Sequence, residues 1–446
     1  MSTASTAQGR HVVITGAGIL CALGHDAGEC WSALREGRSG IAPIESPGLN
    51  DLRFRNGAEV RGFCTTDHFE ASRCDLLDRF AQFAVVAARQ AVREAGYDPH
   101  THFGQRRAEV GHQGAAGYDP THISQQKADG HPTPANSANI AVVTGTSMGG
   151  QASLDRGFAA IYKEGRPRPH PFTIPLTMYN AGASQIAMEM GITGPAFTIS
   201  TACASATHAI GQAFWMVRSG AVGAAICGGS EAPFSPGILR AWEAMRVVSP
   251  EVCRPFSRDR KGLTLGEGGA MFFLETAQRA IERGANILGE VIGFGMSADA
   301  GHLTLPSVDG PAAAMQAALD DAGIAPTQVD YINAHGTGTA ANDVTETRAV
   351  RRVFNGHAEK LAMSSTKSMH GHALGASGAL EMFATLMALR EGVLPPTANF
   401  TEADPECDLD VVPNVPRNRA ITVALSNSFA FGGLNAVLAL RRWNGD

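Results

Sequence analysis

The chain has 446 residues, enough for about two to four domain-sized units or one large duplicated fold, so its core needs neither a disulfide framework nor a metal staple. Apolar residues make up 44% and charged residues only 17%, below the ~25% of an average soluble protein, and the 51 glycines add to a picture of buried chain and tight turns. The net charge of −6 excludes a wholesale nucleic-acid binder, and the lack of any run of ~18 apolar residues excludes a spanning helix.

The first ten residues hold no apolar signal core, so a cytoplasmic protein is expected. His11–Thr15 reads as a buried strand ending in the turn Gly16-Ala-Gly18. Phe83–Ala95 has helical spacing. Gly96-Tyr-Asp-Pro99 recurs as Gly117-Tyr-Asp-Pro120, and the polar, glycine-rich stretch over 96–139 reads as an insertion on the surface. Ile140–Thr144 and Phe197–Ser200 are buried strands, Ala204–Val217 an apolar helix, and Ala224–Cys227 a strand closed by Gly228-Gly229. Runs without a polar face suit a parallel sheet covered by helices on both sides.

From Leu288 the theme restarts. Strands are predicted at Leu288–Phe294, Val329–Asn333, Leu361–Ser364 and Thr422–Leu425. Helices are predicted at Pro311–Ala322, with Gly323 as the stop, and at Asp343–Val353 and Gly375–Arg390. The repetition of element order divides the chain into an N-terminal half, 1–285, and a C-terminal half, 286–446.

Three side chains stand out. Cys203, in Ser200-Thr-Ala-Cys-Ala-Ser205, sits where a strand ends and a helix begins, a place that favours a nucleophilic thiolate. The other reading is an inert core cysteine. The remaining seven cysteines are scattered without a CxxC pair and lack this context. His335, in Asn333-Ala-His-Gly-Thr-Gly-Thr339, and His372, in Lys367-Ser-Met-His-Gly-His-Ala-Leu-Gly375, follow strand ends among glycines. Their ring N–H groups suit an oxygen that gains negative charge. Neither has the close ligand spacing of a zinc site, so no metal is expected.

In these motifs the chain resembles the β-ketoacyl-acyl-carrier-protein synthases of the thiolase superfamily, from Val12 to Leu440. The resemblance rests on Gly194-Pro195 before Thr201–Ser205, on His335–Thr339 with Asp343 and Glu346, on Ser365-Thr-Lys367 with Gly371-His372, and on Asn427–Gly433. It implies an α/β duplicated thiolase fold, two mixed or parallel sheets sandwiching buried helices in five layers. It also implies a homodimer, with a heterodimer of related chains as the variant.

The resemblance further implies that Cys203 takes an acyl group from the phosphopantetheine of an acyl carrier protein, that the N–H groups of Cys203 and Phe431 form the oxyanion hole, and that His335 and His372 stabilise the enolate left by malonyl decarboxylation. No separate cofactor is implied. Lys367 is expected to position His372 and Glu346 to order the loops, against the alternative of a purely structural pair. Phe431 matches a gate, Met148 the acyl channel, and Thr173, Ile174 and Met178 residues contributed across the subunit interface. Arg166, Arg168 and Arg246 match a basic patch for the acidic carrier. A second basic helix is weakened by the two acids within Arg73–Arg79. Ala430 replaces a glycine before the gate and His370 a small residue. With the insertion, these departures point to a specialised pathway such as polyketide or polyene assembly. The competing functions are a non-condensing, chain-length-setting partner subunit and a cysteine-dependent acyltransferase or hydrolase.

Overall fold

The computed structural model describes residues 10–46, 52–97 and 139–445; most of the predicted insertion, including its second Gly-Tyr-Asp-Pro copy, lies outside the described residues. Strand β1 (Val12–Cys21) is buried along all ten residues and runs through the glycines predicted as a turn. Helix α1 (Arg79–Glu94), capped by the Asp78 carboxylate on the Phe80 N–H, explains why. A Cβ on Gly16 would stand 1.9 Å from the Ala91 carbonyl oxygen, and one on Gly18 2.0 Å from that of Ala87. These glycines admit a helix against the strand.

The N-terminal half continues with β2 (Ile140–Gly145), α2 (Gln151–Tyr162), α3 (Thr173–Thr177), α4 (Ala181–Met190), β3 (Ala196–Ile199) and α5 (Ser205–Ser219). It closes with β4 (Ala224–Glu231), α6 (Pro236–Met245) and β5 (Gly268–Thr276). The second half comprises β6 (Gly289–Ala298), α7 (Asp309–Ala322), β7 (Tyr331–Asn333), α8 (Ala340–Phe354), β8 (Ala362–Ser364), α9 (Ser377–Glu391), β9 (Val423–Ala430) and β10 (Leu434–Arg441). Gly323 ends α7 in the left-handed conformation, as predicted.

The strand order is β8-β7-β9-β10-β6-β1-β5-β4-β2-β3. Each half therefore repeats one five-strand arrangement. In the first, β2 pairs parallel with β3 and β4, while β5 runs antiparallel to β4 and β1. In the second, β7 pairs parallel with β8 and β9, while β10 runs antiparallel to β9 and β6. The sheets are thus mixed, because β5 and β10, which the sequence reading passed over, return antiparallel. The two predicted sheets also join into one, through β1 and β6 over Val12–Ile14 and Gly289–Val291.

The layers follow from alternation along the strands. Ala141 and Val143 of β2 face a central cluster that holds Ile210 and Phe214 of α5 and Leu380 and Phe383 of α9. Ile140 and Val142 face an outer cluster with Phe83 and Val86 of α1 and Ile186 of α4. On the far side, Met315 of α7 and Val350 of α8 cover Ile332, Leu425 and Val437. The helix pair α5 and α9 is therefore sandwiched between two sheet halves, each covered outside by further helices, which makes the five layers of the thiolase fold.

Candidate active site

Cys203, His335, His372 and Phe431 all follow the carboxyl ends of parallel strands, β3, β7, β8 and β9, and all four line one cavity that opens to solvent. The elbow carrying Cys203 is tied by Ser205, whose Oγ donates to the Ala202 carbonyl at 2.6 Å and accepts from the Thr201 N–H at 2.9 Å. Ala202 takes φ +48°, a conformation that non-glycine residues adopt only when held.

The thiol differs from the sequence expectation. Burial pushes Cys203 up to about 12, outweighing the Lys367 charge that lowers it. At rest it is a thiol, not a thiolate, because loss of hydration exceeds what one helix terminus supplies. Cys227, inside β4, is buried and pushed up by burial alone, and it fits the inert reading.

The two imidazoles stand 5.6 Å apart between ring centroids, edge to face. His372 Nδ1 accepts from the Leu374 N–H at 3.2 Å and lies 2.8 Å from Ser377 Oγ. His335 Nδ1 lies 3.3 Å from Lys367 Nζ, an ammonium that can only donate. These bonds assign Nδ1 as the acceptor on both rings, so each Nε2 carries the proton. Burial first, and then the Lys367 charge, hold both histidines well below 6.5 and hence neutral.

Lys367 is fully buried: Nζ donates to the His335 carbonyl at 2.7 Å and pairs with Glu381. Its hydrogen bonds go to His335, while its charge acts on His372 as well. The hydrogen-bond partners of His372 Nδ1 are Leu374 and Ser377. Glu346 accepts from the N–H groups of His335 and Gly336, each at 2.8 Å, and from Asn427 Nδ2 at 3.1 Å, so it fixes the His335 loop. Asp343 holds the next turn through the N–H groups of Gly338 and Phe256.

Glu381 and Glu231 were not singled out in the sequence. Their signal is an acid set among apolar residues within a helix and one closing an apolar strand. His370 is buried, bonded to the Gly371 carbonyl and Thr366 Oγ1, and does not line the cavity. Ala430 is the last residue of β9, while Gly432 and Gly433, at φ +83° and +70°, make the turn after Phe431, so alanine fits where it stands.

Other predicted residues lie elsewhere. Met148 is absent from the cavity lining and packs with Leu239, Leu263 and Leu374. Thr173 is buried in α3, whereas Ile174, in the same helix, and Met178, just after it, are exposed. Arg166 and Arg168 are exposed, the former paired with Glu164 at 2.9 Å. Arg246 is exposed at the end of α6, whose Trp242 stacks on Phe431 at the cavity mouth. Arg73 and Arg79 are engaged by Glu189 and Glu267, so neither is offered to a partner as a free charge.

A duplicated five-layer fold with a cysteine and two neutral histidines on strand-end loops defines a thioester-condensing enzyme. The chain matches the family models "Beta-ketoacyl synthase, N-terminal domain" over residues 9–130 and 114–280 and "Beta-ketoacyl synthase, C-terminal domain" over 288–401. It is similar to nodulation protein E of Rhizobium sp. strain N33, at 46% identity over 97% of this chain and 99% of that one. It is also similar to 3-oxoacyl-[acyl-carrier-protein] synthase 2 of Synechocystis sp., at 39% identity over 97% and 98%. Among solved structures, the ishigamide ketosynthase/chain length factor superposes with a TM-score of 0.86 at 33% identity, covering 98% of this chain and all of that one. The chain belongs to the β-ketoacyl synthase family. It is a condensing acyltransferase that forms 3-oxoacyl thioesters. Among the described residues, no helix is long and apolar enough to cross a membrane.

Proposed function

We propose that Cys203 carries the growing acyl chain and that His335 and His372 together hold the enolate oxygen. In the first half reaction, the Cys203 sulfur bonds to the acyl carbon of a carrier-bound thioester. The pantetheine sulfur leaves and takes up the thiol proton. In the second, the carboxylate bond of a malonyl thioester breaks and carbon dioxide departs. The enolate carbon attacks the acyl carbonyl, and the Cys203 sulfur is expelled and takes up a proton. The single observation that carries this reading is that both rings accept at Nδ1, so two Nε2–H donors remain for the developing oxyanion. The same assignment disfavours a hydrolase, since a neutral ring protonated at Nε2 offers no base there. A non-condensing subunit is disfavoured by the Cys203 thiol itself. No cofactor beyond the substrates' phosphopantetheine is invoked. The test is mass spectrometry with acyl-carrier and malonyl-carrier substrates. His335→Ala and His372→Ala are expected to form the acyl adduct yet release no carbon dioxide; a Cys203→Ala adduct would refute the nucleophile.

We infer further that the chain works in the cytoplasm as a pair, with a second copy or a related chain meeting it at β3. This reading is supported by β3 standing, among the described residues, at the end of the sheet, and by the exposed apolar side chains of Phe197 on β3 and Met188 on α4, which packs against β3, with Tyr162, Ile174 and Met178 exposed in the segments before α4. Ile174 and Met178 would then reach the partner's acyl chamber, with Thr173 buried behind them and Met148 as a wall of the chamber beyond the open cavity. Arg166, Arg168 and Arg246 would dock the carrier. A specialised acyl product is favoured by the higher identity to nodulation protein E than to synthase 2. The residue-285 division into nucleophile and histidine halves follows the same logic, since Cys203 precedes it and both histidines follow.

A further inference from the structure

Glu231 ends β4 with no exposed surface, and its carboxylate collects five hydrogen bonds from two segments that follow strands not adjacent in the sheet. One segment follows β2. Thr146 Oγ1 donates to Oε1 at 2.8 Å and the Met148 N–H to the same oxygen at 3.2 Å. The Ser147 N–H and Oγ donate to Oε2 at 2.7 and 2.6 Å. The other segment follows His372: the Gly375 N–H donates to Oε2 at 3.0 Å. Between His372 and Gly375 stands Leu374, at φ +46°, a left-handed position disfavoured for a branched side chain. In that conformation the Leu374 N–H meets His372 Nδ1. The two segments touch closely as well. A Cβ on Gly375 would lie 2.3 Å from the Ser147 nitrogen, and the side chains of Met148 and Leu374 share one apolar cluster.

We propose that Glu231 is a positioning residue that clamps the Met148 loop to the strained turn behind His372, so that the depth of the acyl chamber and the aim of the His372 donor are set by one carboxylate. Through Gly375 it holds Leu374 in the conformation whose N–H keeps His372 Nδ1 an acceptor. Through Met148 it fixes the backbone of the chamber wall. The inference rests on the proposed roles of Met148 and His372.

Two substitutions separate the limbs. Glu231→Gln keeps one carbonyl oxygen. Oε2 takes three donors, two of them backbone N–H groups, so the amide oxygen goes there and the NH2 faces Thr146, whose hydroxyl can reverse, and the Met148 N–H, which cannot. The direct Met148 N–H bond is lost, while the Ser147 and Gly375 bonds at Oε2 are kept. This variant is expected to change the long-chain to short-chain ratio of kcat/KM for acyl transfer at least threefold, with malonyl decarboxylation within twofold of the parent. Glu231→Ala loses both limbs. Its decarboxylation kcat is expected to fall at least tenfold, with KM for the malonyl carrier and the rate of Cys203 acylation by a short acyl thioester within twofold. Met148→Ala and His372→Ala are measured beside them. If Met148→Ala leaves the ratio unchanged, or His372→Ala still decarboxylates, the underlying reading fails. If those two behave as expected and Glu231→Gln leaves the ratio unchanged, the clamp is overturned. It is equally overturned if folded Glu231→Ala keeps its decarboxylation rate, or loses acylation and decarboxylation in equal proportion. Should Glu231→Ala fail to fold, the Glu231→Gln ratio alone decides.

Discussion

Lys367 Nζ lies 3.3 Å from His335 Nδ1 and 2.7 Å from the His335 carbonyl oxygen, so a single buried ammonium sets both the backbone and the tautomer of that histidine. The ammonium is itself neutralised by Glu381, with both side chains wholly out of solvent. Removing Lys367 leaves Glu381, which burial pushes up to about 7 even beside the ammonium, without its cation, so the carboxyl must take up a proton and the Lys367 bonds are lost. Lys367→Ala is therefore expected to lower unfolding free energy by about 3–5 kcal/mol in denaturant titration. The double variant Lys367→Met/Glu381→Leu should recover most of that stability without recovering malonyl decarboxylation. A double variant that condenses at the parent rate would show that the pair is structural only.

The state of the nucleophile is open to direct titration. With Cys203 pushed up to about 12 by burial, the reactive thiolate fraction grows about tenfold per pH unit across the neutral and mildly alkaline range. Iodoacetamide labelling of Cys203, followed by peptide mass spectrometry, should rise through pH 7 to 10 without levelling. A plateau near pH 7 would mean that the helix terminus prevails over burial after all.

His370 allows a linkage experiment with a defined sign. Burial, and then the Lys367 charge, lower it from 6.5 to about 3 in the folded chain. Below pH 6.5 the unfolded chain binds a proton that the folded chain refuses, so stability falls as pH falls from about 6.5 towards 3. One such group contributes a slope approaching 1.36 kcal/mol per pH unit. His370→Asn is expected to flatten the stability–pH curve by about that slope between pH 5.5 and 4, whatever its effect at pH 8. An unchanged slope would place the ring in contact with solvent.

The pairing face is tested by charge. Phe197→Asp sets a carboxylate on the edge strand β3, away from the catalytic cavity. Light scattering should show the parent as a pair and the variant as single chains, with acylation of Cys203 weakened because the partner's contribution to the acyl chamber is lost. A parent that sediments as a single chain would remove the proposed role of Ile174 and Met178.

The docking patch is tested by substrate form. Reversing Arg166, Arg168 and Arg246 to glutamate is expected to raise KM for carrier-bound acyl groups at least tenfold while leaving small thioester mimics within twofold. Equal loss on both substrates would indicate damage to the fold.

Local pattern carried much of this architecture, and the places where it failed share a cause. The apolar runs at Ile140–Thr144 and Ala224–Cys227 named their strands, but both were read too short, because glycines such as Gly228 serve there as thin strand residues against Ala270 of β5. The fold class came from motif order, yet β5 and β10 carry no motif and their antiparallel return is a tertiary fact. At the site, Cys203, His335 and His372 are legible because each stands in a turn after a strand, the two histidines beside glycines and the cysteine before an apolar helix. The protonation state of Cys203 was not, since desolvation depends on the whole surrounding chain. Lys367 stands nearer His372 in sequence, whereas the crossing of two strand-end loops gives its hydrogen bonds to His335. Glu381 and Glu231 act from apolar elements in which an acid among apolar residues is the one local sign, and it does not say which loops they hold.

The seam at β1 has a consequence for how the protein is made. Thr15 bonds to Glu275, 260 residues further on, and the same strand borders β6 on its other side. At ribosomal rates of about 5–20 residues per second, both neighbours emerge only after roughly 10–60 s. Throughout that interval the first strand is a ten-residue apolar ribbon with two open edges, and the nascent chain must be shielded from its own copies. Heterologous yield should therefore respond to chaperone supply and to slower growth temperature more than to any change near the catalytic cavity.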